Sequence, residues 1–510
     1  MKTLKRMKKV KALIINLIIL LLSSYTLLAG DDSGDKKKAC IPCRELMNLQ
    51  FPEVVITEAL DTTTRTSFCR VSGTIGKEIN FELLLPGEWN GRYIMGGGGG
   101  FVGAIANVAR GTVHDGFATS GTDTGHKGNG IKADWALDHM ERQLNFGHLA
   151  IHRTALVSKA IIARYYGSDP AFSYFMGCSR GGGQAMMEAQ RYPEDFDGII
   201  AGAPAFDWPA LAAEFIQNMQ AIYPDPENFN PVITRQDLYM LQSAVLDQCD
   251  QLDGIRDSIL NDPAACDFDL STLPTCPDDV IGEDCFTAPQ IGAIKAVYDG
   301  VVTDEGEIYP GFPPGCENEP GGWLPWITGP NPGTMELGFP SLQFGFGTEI
   351  FKYLIFQDPE WDYSTYDYSD FFENTRYASA YLDATSTDYS GFEKRDGKMI
   401  IYHGWNDPAL SALATIEHYK AVRAADPEVE DYIRLFLLPG VLHCGGGPGP
   451  DRTDWIGLLI DWVEHGRAPE RVVMSKARDG KVIKTRPVFP YPRKAVYDGK
   501  GDPNVESSFK

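Results

Sequence analysis

A serine and a histidine in distant parts of this chain each have a cysteine as nearest neighbour, Cys178-Ser179 and His443-Cys444. No other feature constrains the fold as much. A disulfide requires Cα atoms about 4.4–6.8 Å apart. If Ser179 and His443 meet, Cys178 and Cys444 are carried to bonding distance, and one bridge staples two remote segments together. The meeting has a chemical sense. Gly177-Cys178-Ser179-Arg180-Gly181 fits the G-x-S-x-G turn that exposes a serine hydroxyl between a strand and a helix. A serine hydroxyl is a weak nucleophile; it needs an adjacent base, and the base needs an orienting carboxylate.

A bridge of this kind also needs an oxidising compartment. Met1–Lys9 is basic and Ala12–Leu22 is apolar, which predicts a signal peptide over residues 1–30 and an exported, secreted or periplasmic, mature chain. An uncleaved N-terminal anchor is the alternative, because the apolar run approaches bilayer length. All ten cysteines follow this segment, so a framework of up to five bridges is expected. Cys249 with Cys266 and Cys276 with Cys285 read as local pairs. Cys40-x-x-Cys43 lacks a second such pair or nearby histidines, and reads as structural bridging, with Cys69 as a partner. The net charge of −23 argues against nucleic acid and anionic membrane surfaces as partners, since both require basic patches.

Strand-like runs alternate with helices in two parts of the chain. Phe81–Leu85, Arg92–Met95, Phe172–Met176 and Gly198–Gly202 read as strands, with helices over about 144–166 and 184–191. Lys398–Tyr402 and Ile433–Leu438 resume the pattern around a helix near 414–424. The alternation predicts an α/β domain with a largely parallel sheet covered on both faces, in two parts, 31–207 and 396–510. Residues 208–395 hold five cysteines and many prolines, glycines and aromatics. They read as an inserted, disulfide-rich lid with an irregular core.

The carboxylate and base candidates follow late strands. Asp407 lies in Tyr402-His403-Gly404-Trp405-Asn406-Asp407-Pro408, and His443 in Pro439-Gly440-Val441-Leu442-His443-Cys444. The order Ser, Asp, His is that of α/β-hydrolases. His126, His148 and His403 are rival bases, and His403 is better placed to support Asp407 than to act. An oxyanion hole needs backbone N–H groups. The amide of Arg180 directly follows the serine, and the run Gly96–Gly100 places Gly98 and Gly99 after a strand, where a ligand can approach closely.

A second constellation lies in the insertion. Asp250, Asp253 and Asp257 surround the turn at Gly254, a pattern suited to an oxygen-liganded cation such as Ca²⁺. The spacing is not that of an EF-hand, and by itself it suits a solvated acidic loop equally well.

Gly-Cys-Ser-x-Gly-Gly, Tyr-His-Gly-Trp-x-Asp-Pro and Pro-Gly-x-x-His-Cys-Gly-Gly-Gly-Pro-Gly-Pro together resemble the tannase/feruloyl esterase family, from about residue 40 to about residue 490. The resemblance implies an α/β-hydrolase fold with a large disulfide-rich, calcium-binding lid. It implies Ser179 as nucleophile, His443 as base, Asp407 as orienting acid and a Cys178–Cys444 bridge. It also implies a structural Ca²⁺ in the lid, held by Asp250, Asp253, Asp257 and the carbonyls of Ile255 and Ile259. The chain departs from the family pattern at Gly183, where many members carry arginine, and at Arg180, where a smaller or acidic residue is common.

The expected activity is hydrolysis of small-molecule esters of hydroxycinnamic, gallic, terephthalic or benzoic-type acids. Trp323, Trp326, Phe351 and Tyr353 of the lid are candidates for the acyl pocket. Two rivals stand beside this reading: a peptidase or amidase on the same fold, and a calcium-dependent binding protein with a relic site.

Overall fold

The strands read from the sequence are present, Ile433–Leu438 with the expected bounds and the rest extended at their ends, and they are joined by others that the sequence did not advertise. A computed structural model describes residues 36–510; the predicted signal segment lies outside them. In chain order the strands are β1 (Val54–Thr63), β2 (Ser67–Ile75), β3 (Ile79–Pro86), β4 (Arg92–Gly96), β5 (Ala118–Thr122), β6 (Phe172–Ser179) and β7 (Gly198–Pro204). They continue with β8 (Gly300–Thr303), β9 (Gly306–Pro310), β10 (Lys398–Gly404), β11 (Ile433–Leu438), β12 (Val472–Arg478) and β13 (Lys481–Val488). Nine of them form the central sheet, in the order β1-β2-β3-β5-β4-β6-β7-β10-β11, while β8–β9 and β12–β13 pair separately.

The sheet is mixed. β1, β2, β3 and β5 run antiparallel to one another, and from β5 through β4, β6, β7 and β10 to β11 every pairing is parallel. Sequence follows position. β7 is buried along its whole length, as expected of a parallel strand covered on both faces. β1 mixes buried and exposed positions. Its Thr, Asp and Glu residues hid it from a search for apolar runs, and β2 and β5 escaped for the same reason.

Two helices set up the site. Arg180–Arg191 starts at the end of β6 and packs on β6 and β7. Its glycines permit the approach: a Cβ at Gly183 would stand 1.9 Å from the carbonyl oxygen of Ala205. No side chain fits there without moving the backbone, so the departure from the family's arginine is built into this packing. Trp208–Ile222 follows β7 and is buried on nearly every face.

The insertion is not the irregular body expected from its composition. It contributes the helices Trp208–Ile222, Arg235–Cys249, Ala288–Asp299, Leu342–Ile350 and Phe371–Leu382. Contacts from Lys38 to Lys510 form one unit, so these helices share the main core. The prolines and glycines of 311–316 and most of those of 321–326 sit between the helices, Pro209 and Pro289 stand in first turns, and Gly292, Gly345 and Gly347 are accommodated within helices. Thr234 begins Arg235–Cys249 with a capping box: its backbone N–H donates to Asp237 Oδ2 at 2.7 Å and its hydroxyl accepts from the Asp237 N–H. Such a cap stabilises a helix by about 1 kcal/mol. Cys249, the last residue of that helix, leads into the aspartate loop.

Four disulfides are formed: Cys43–Cys69, Cys178–Cys444, Cys249–Cys266 and Cys276–Cys285. The expected limit of five is not reached. Cys40 is exposed and Cys316 is buried, so the two remaining thiols occupy different environments and do not meet. Among the described residues no helix is long and apolar enough to cross a membrane.

Candidate active site

Ser179 ends β6 and precedes the first residue of the helix Arg180–Arg191. Its backbone has φ 64° and ψ −123°, a sparsely populated conformation for a residue with a side chain. Strain of this kind is held only where surrounding packing imposes it, and it is what a nucleophile elbow requires to expose Oγ. The amide of Arg180 stands at the helix N-terminus, where unpaired N–H groups and the helix dipole favour negative charge.

β10 and β11 deliver the other two groups. Asp407 follows β10 and is fully buried. Its Oδ1 accepts from the backbone N–H groups of Ala409 at 2.8 Å and Leu410 at 3.0 Å. His443 Nδ1 lies 2.7 Å from Asp407 Oδ2, and His403 Nε2 lies 3.3 Å from the same oxygen. Burial alone would raise the Asp407 carboxyl, but the neighbouring His443 charge and the hydrogen bonds from His403 and His443 hold it well below its ordinary value. Asp407 therefore presents a carboxylate, and the Nδ1–H tautomer of His443 leaves Nε2 available. His403 is itself buried, with Nδ1 2.8 Å from the Thr415 hydroxyl, and supports Asp407 from behind. Of the other rival bases, His126 is buried and stacked on Trp135, and His148 binds the Tyr192 hydroxyl.

Ser179, His443, Arg180, Gly98, Gly99 and the Cys178–Cys444 bridge line one cavity of about 420 Å³, within the usual range for small-molecule sites. The two glycines are not equivalent. Gly98 N–H donates to Gln184 Oε1 at 3.2 Å, so its amide is engaged by the helix that follows Ser179.

Arg180 has a second aspect. Its side chain is 1% exposed; its Nη2 donates to the carbonyls of Phe146 and Gly147, and its guanidinium lies over the rings of Phe146 and Trp208 at 4.4 and 5.1 Å. Burial pushes this guanidinium down to about 9, against the opposing charge of Asp383.

The aromatic pocket residues named from sequence divide. Trp326 lines the cavity, its ring edge-on to His443 at 5.1 Å. Trp323, Phe351 and Tyr353 do not line it. Trp323 is buried against Tyr298, Phe351 against Phe356, Trp361 and Tyr366, and Tyr353 packs at the edge of the main core. The walls come instead from Trp208, Leu211 and Phe215 of one helix and Phe346 and Ile350 of another, with Ala409 and Leu410. Leu211 and Phe215, like Phe346 and Ile350, recur at i, i+4 and so share a helix face. That spacing was the one available signal in the sequence.

The lid aspartates sit on the turn that follows Cys249. Asp250 and Asp257 each keep one buried carboxylate oxygen without a hydrogen-bond partner, and burial raises the Asp250 and Asp253 carboxyls. Orphaned, desolvated oxygens of this kind suit a hard cation. The other oxygen of Asp257 accepts from Lys484 at 2.8 Å and Arg486 at 2.9 Å on β13. Ile259 borders Gly440, on the loop that carries His443. Among the described residues the one group of histidine, cysteine or carboxylate side chains placing three ligand atoms within 4.8 Å of one another is His152, Glu188 and Asp195; it does not line the cavity, and His152 Nδ1 already lies 2.6 Å from Asp195 Oδ2.

A mixed sheet of this order, with a serine at a strained strand-to-helix turn and a histidine–aspartate pair after late strands, defines an α/β-hydrolase. The chain belongs to the tannase and feruloyl esterase family, whose model, described as "Tannase and feruloyl esterase", matches residues 62–510. It is a carboxylic ester hydrolase of that type. It is 34% identical to mono(2-hydroxyethyl) terephthalate hydrolase of Piscinibacter sakaiensis over 86% of this chain and 84% of that protein. It is 31% identical to a probable feruloyl esterase B-2 of Aspergillus flavus, over 86% of this chain and 85% of that protein. In fold it is similar to feruloyl esterase B from Aspergillus oryzae, with a TM-score of 0.81 at 24% identity, covering 92% of this chain and 99% of the other.

Proposed function

We propose that this chain is an exported serine carboxylesterase that cleaves esters of aromatic acids through an acyl-enzyme on Ser179. One observation carries the mechanism: the 2.7 Å His443–Asp407 pair opens onto the same cavity as a serine in elbow conformation. The Ser179 hydroxyl attacks the ester carbonyl while His443 Nε2 takes its proton, and Asp407 stabilises the imidazolium. The carbonyl oxygen becomes an oxyanion held by the amides of Arg180 and Gly99. His443 then gives its proton to the departing alcohol. In the second half-reaction it activates a water that releases the acid and restores Ser179.

The four disulfides support an oxidising location for the mature protein. Ca²⁺ would be held by Asp250, Asp253, Asp257 and the carbonyls of Ile255 and Ile259. Bound there, it would neutralise clustered carboxylates and tie the loop to the helix ending at Cys249, taking no part in bond breaking.

Ser179→Ala tests the central claim. The variant is expected to lose at least about a thousandfold in kcat on methyl esters with its thermal midpoint retained. Ester turnover that survives the substitution would exclude Ser179 as the nucleophile.

A further inference from the structure

The cavity that holds Ser179 is unusually poor in polar side chains. Beyond the serine, the histidine, the glycines and the disulfide, its walls are chiefly Trp208, Leu211, Phe215, Trp326, Phe346 and Ile350. Ser179 supplies the one side-chain hydroxyl among the lining residues, and none of them carries an amide or carboxylate side chain. The indole N–H of Trp208 is committed to the Ala205 carbonyl at 3.0 Å, which leaves Trp326 as the wall's indole donor. Arg180 borders the cavity, but its guanidinium is sealed between Phe146 and Trp208 and turned to two backbone carbonyls. Nε and Nη1 of that guanidinium have no hydrogen-bond partner but are buried, so apart from His443 an anion in the cavity meets no solvent-exposed cation on the wall.

We propose that this acyl pocket selects uncharged aromatic acyl groups without ring hydroxyls, benzoyl and cinnamoyl in type, over galloyl groups and over acyl groups bearing a second, ionised carboxylate. The inference rests on the reading that Ser179 attacks an ester in this cavity. Three arguments support it. The rings of Trp326 and Phe346 lie nearly parallel, 16° apart, with centroids at 6.4 Å, so an aromatic surface extends along the wall from His443 and suits a flat acyl group better than a short aliphatic one.

The second argument concerns hydroxyls. A phenol that leaves water for an apolar wall without a partner is penalised. An apolar pocket rejects an added hydroxyl only modestly, by about a hundredfold at most, because nothing in it depends on that group. The third concerns charge. An ionised carboxylate loses much more on desolvation than a hydroxyl does, and no wall residue offers it the bidentate partner that would compensate.

The test compares kcat/KM for methyl esters that share one leaving group, so that differences report the acyl side alone. Dimethyl terephthalate and monomethyl terephthalate at neutral pH differ at the distal group, an uncharged methyl ester in one and an ionised carboxylate in the other, and the twofold statistical advantage of the diester is divided out. Methyl benzoate and methyl cinnamate serve as neutral references for methyl gallate. The neutral diester is expected to exceed the monoacid by about a hundredfold and methyl benzoate to exceed methyl gallate by about tenfold or more. Phe215→Gln, which puts an amide on the wall, is expected to shrink the benzoate-to-gallate ratio. Equal or faster turnover of methyl gallate or monomethyl terephthalate than of their neutral references overturns the proposal. If none of these esters is hydrolysed, or if hydrolysis survives Ser179→Ala, the underlying assignment of the site fails instead, and the two failures are told apart.

Discussion

Cys178 and Cys444 are bonded across 266 residues of sequence with their Cα atoms 6.0 Å apart, and each is the covalent neighbour of a group at the site, Ser179 and His443. Cys444 has φ +60°, so both ends of the bridge sit on tightly turned backbone, beside or at a residue in the left-handed region. The bridge therefore does more than close a long loop. It sets the separation of the elbow at the end of β6 and the loop that follows β11.

Replacing both cysteines with serine is expected to destabilise the protein by about 2–5 kcal/mol and to lower kcat more than it raises KM, since the two loops lose their registration. Thermal unfolding and steady-state kinetics on a methyl ester measure the two effects. Reductant should act in the same order, loosening the site before the domain unfolds. Full activity after the bridge is shown to be open would refute the staple.

Asp407→Asn retains the hydrogen bonds to Ala409 and Leu410 through its amide oxygen but places an N–H opposite His443. The histidine then takes the wrong tautomer, and kcat is expected to fall by about ten-thousandfold with little change in folding. Kinetics together with circular dichroism separate this outcome from simple unfolding.

The glycine run supplies a paired prediction. A Cβ at Gly97 would stand 2.8 Å from Gly181 Cα and 2.9 Å from Gln184 Oε1, whereas one at Gly99 meets nothing within 4 Å. Gly97→Ala is expected to push the run away from the elbow and lower both thermal midpoint and kcat; Gly99→Ala is expected to keep the midpoint. Equal stability in the two variants would contradict the packing.

Chelation is expected to lower the thermal midpoint, because an ion that binds only the folded state at a hundred times its Kd contributes about 2.7 kcal/mol. Ile259 borders the Gly440 turn, so kcat should decline alongside stability. Calorimetry of protein in EDTA and after Ca²⁺ is restored checks this, and Asp257→Asn should blunt the response. An unchanged midpoint in EDTA argues that the loop is merely acidic.

Glu214 provides a pH dependence. It is buried on the helix Trp208–Ile222 with both carboxylate oxygens unpartnered, and the side-chain oxygen of Asn218, one turn on, is unpartnered as well. Burial raises its carboxyl well above the usual range, opposed by Asn218. A protonated Glu214 donating to Asn218 satisfies both groups. Asn218 in turn donates to Gln343 at 3.1 Å, and Gln343 to the Pro408 carbonyl at 3.0 Å, beside Asp407.

The folded state keeps a proton that the unfolded chain releases above the ordinary glutamate pKa. This residue's contribution to stability is therefore greatest in acid and declines as pH rises toward its folded value. Glu214→Gln keeps the donor and removes the titration. The variant's advantage in thermal midpoint over the native protein is expected to widen from pH 5 to pH 8; a constant difference would show that Glu214 does not titrate this way.

What could be read in advance was what is local in the chain. The Cys-Ser and His-Cys pairs and the Asp407 segment are short motifs of residue types a few positions apart. Their order along the chain foretold the sheet that would assemble them. The parallel strands β6, β7, β10 and β11 were visible because burial on both faces demands continuous apolar runs; β1, β2 and β5 were not, because polar positions interrupt their apolar pattern. The lining of the cavity was beyond reach for a related reason. An aromatic residue looks the same in sequence whether it faces a cavity, as Trp326 does, or a core, as Trp323 and Phe351 do. Only packing between helices remote in sequence decides which. The same packing engaged Gly98 with Gln184, left Cys40 and Cys316 in separate surroundings, and sealed Arg180 behind Phe146 and Trp208. Short motifs carry the candidate catalytic residues of this protein, and tertiary contacts alone decide which side chains line the cavity around them.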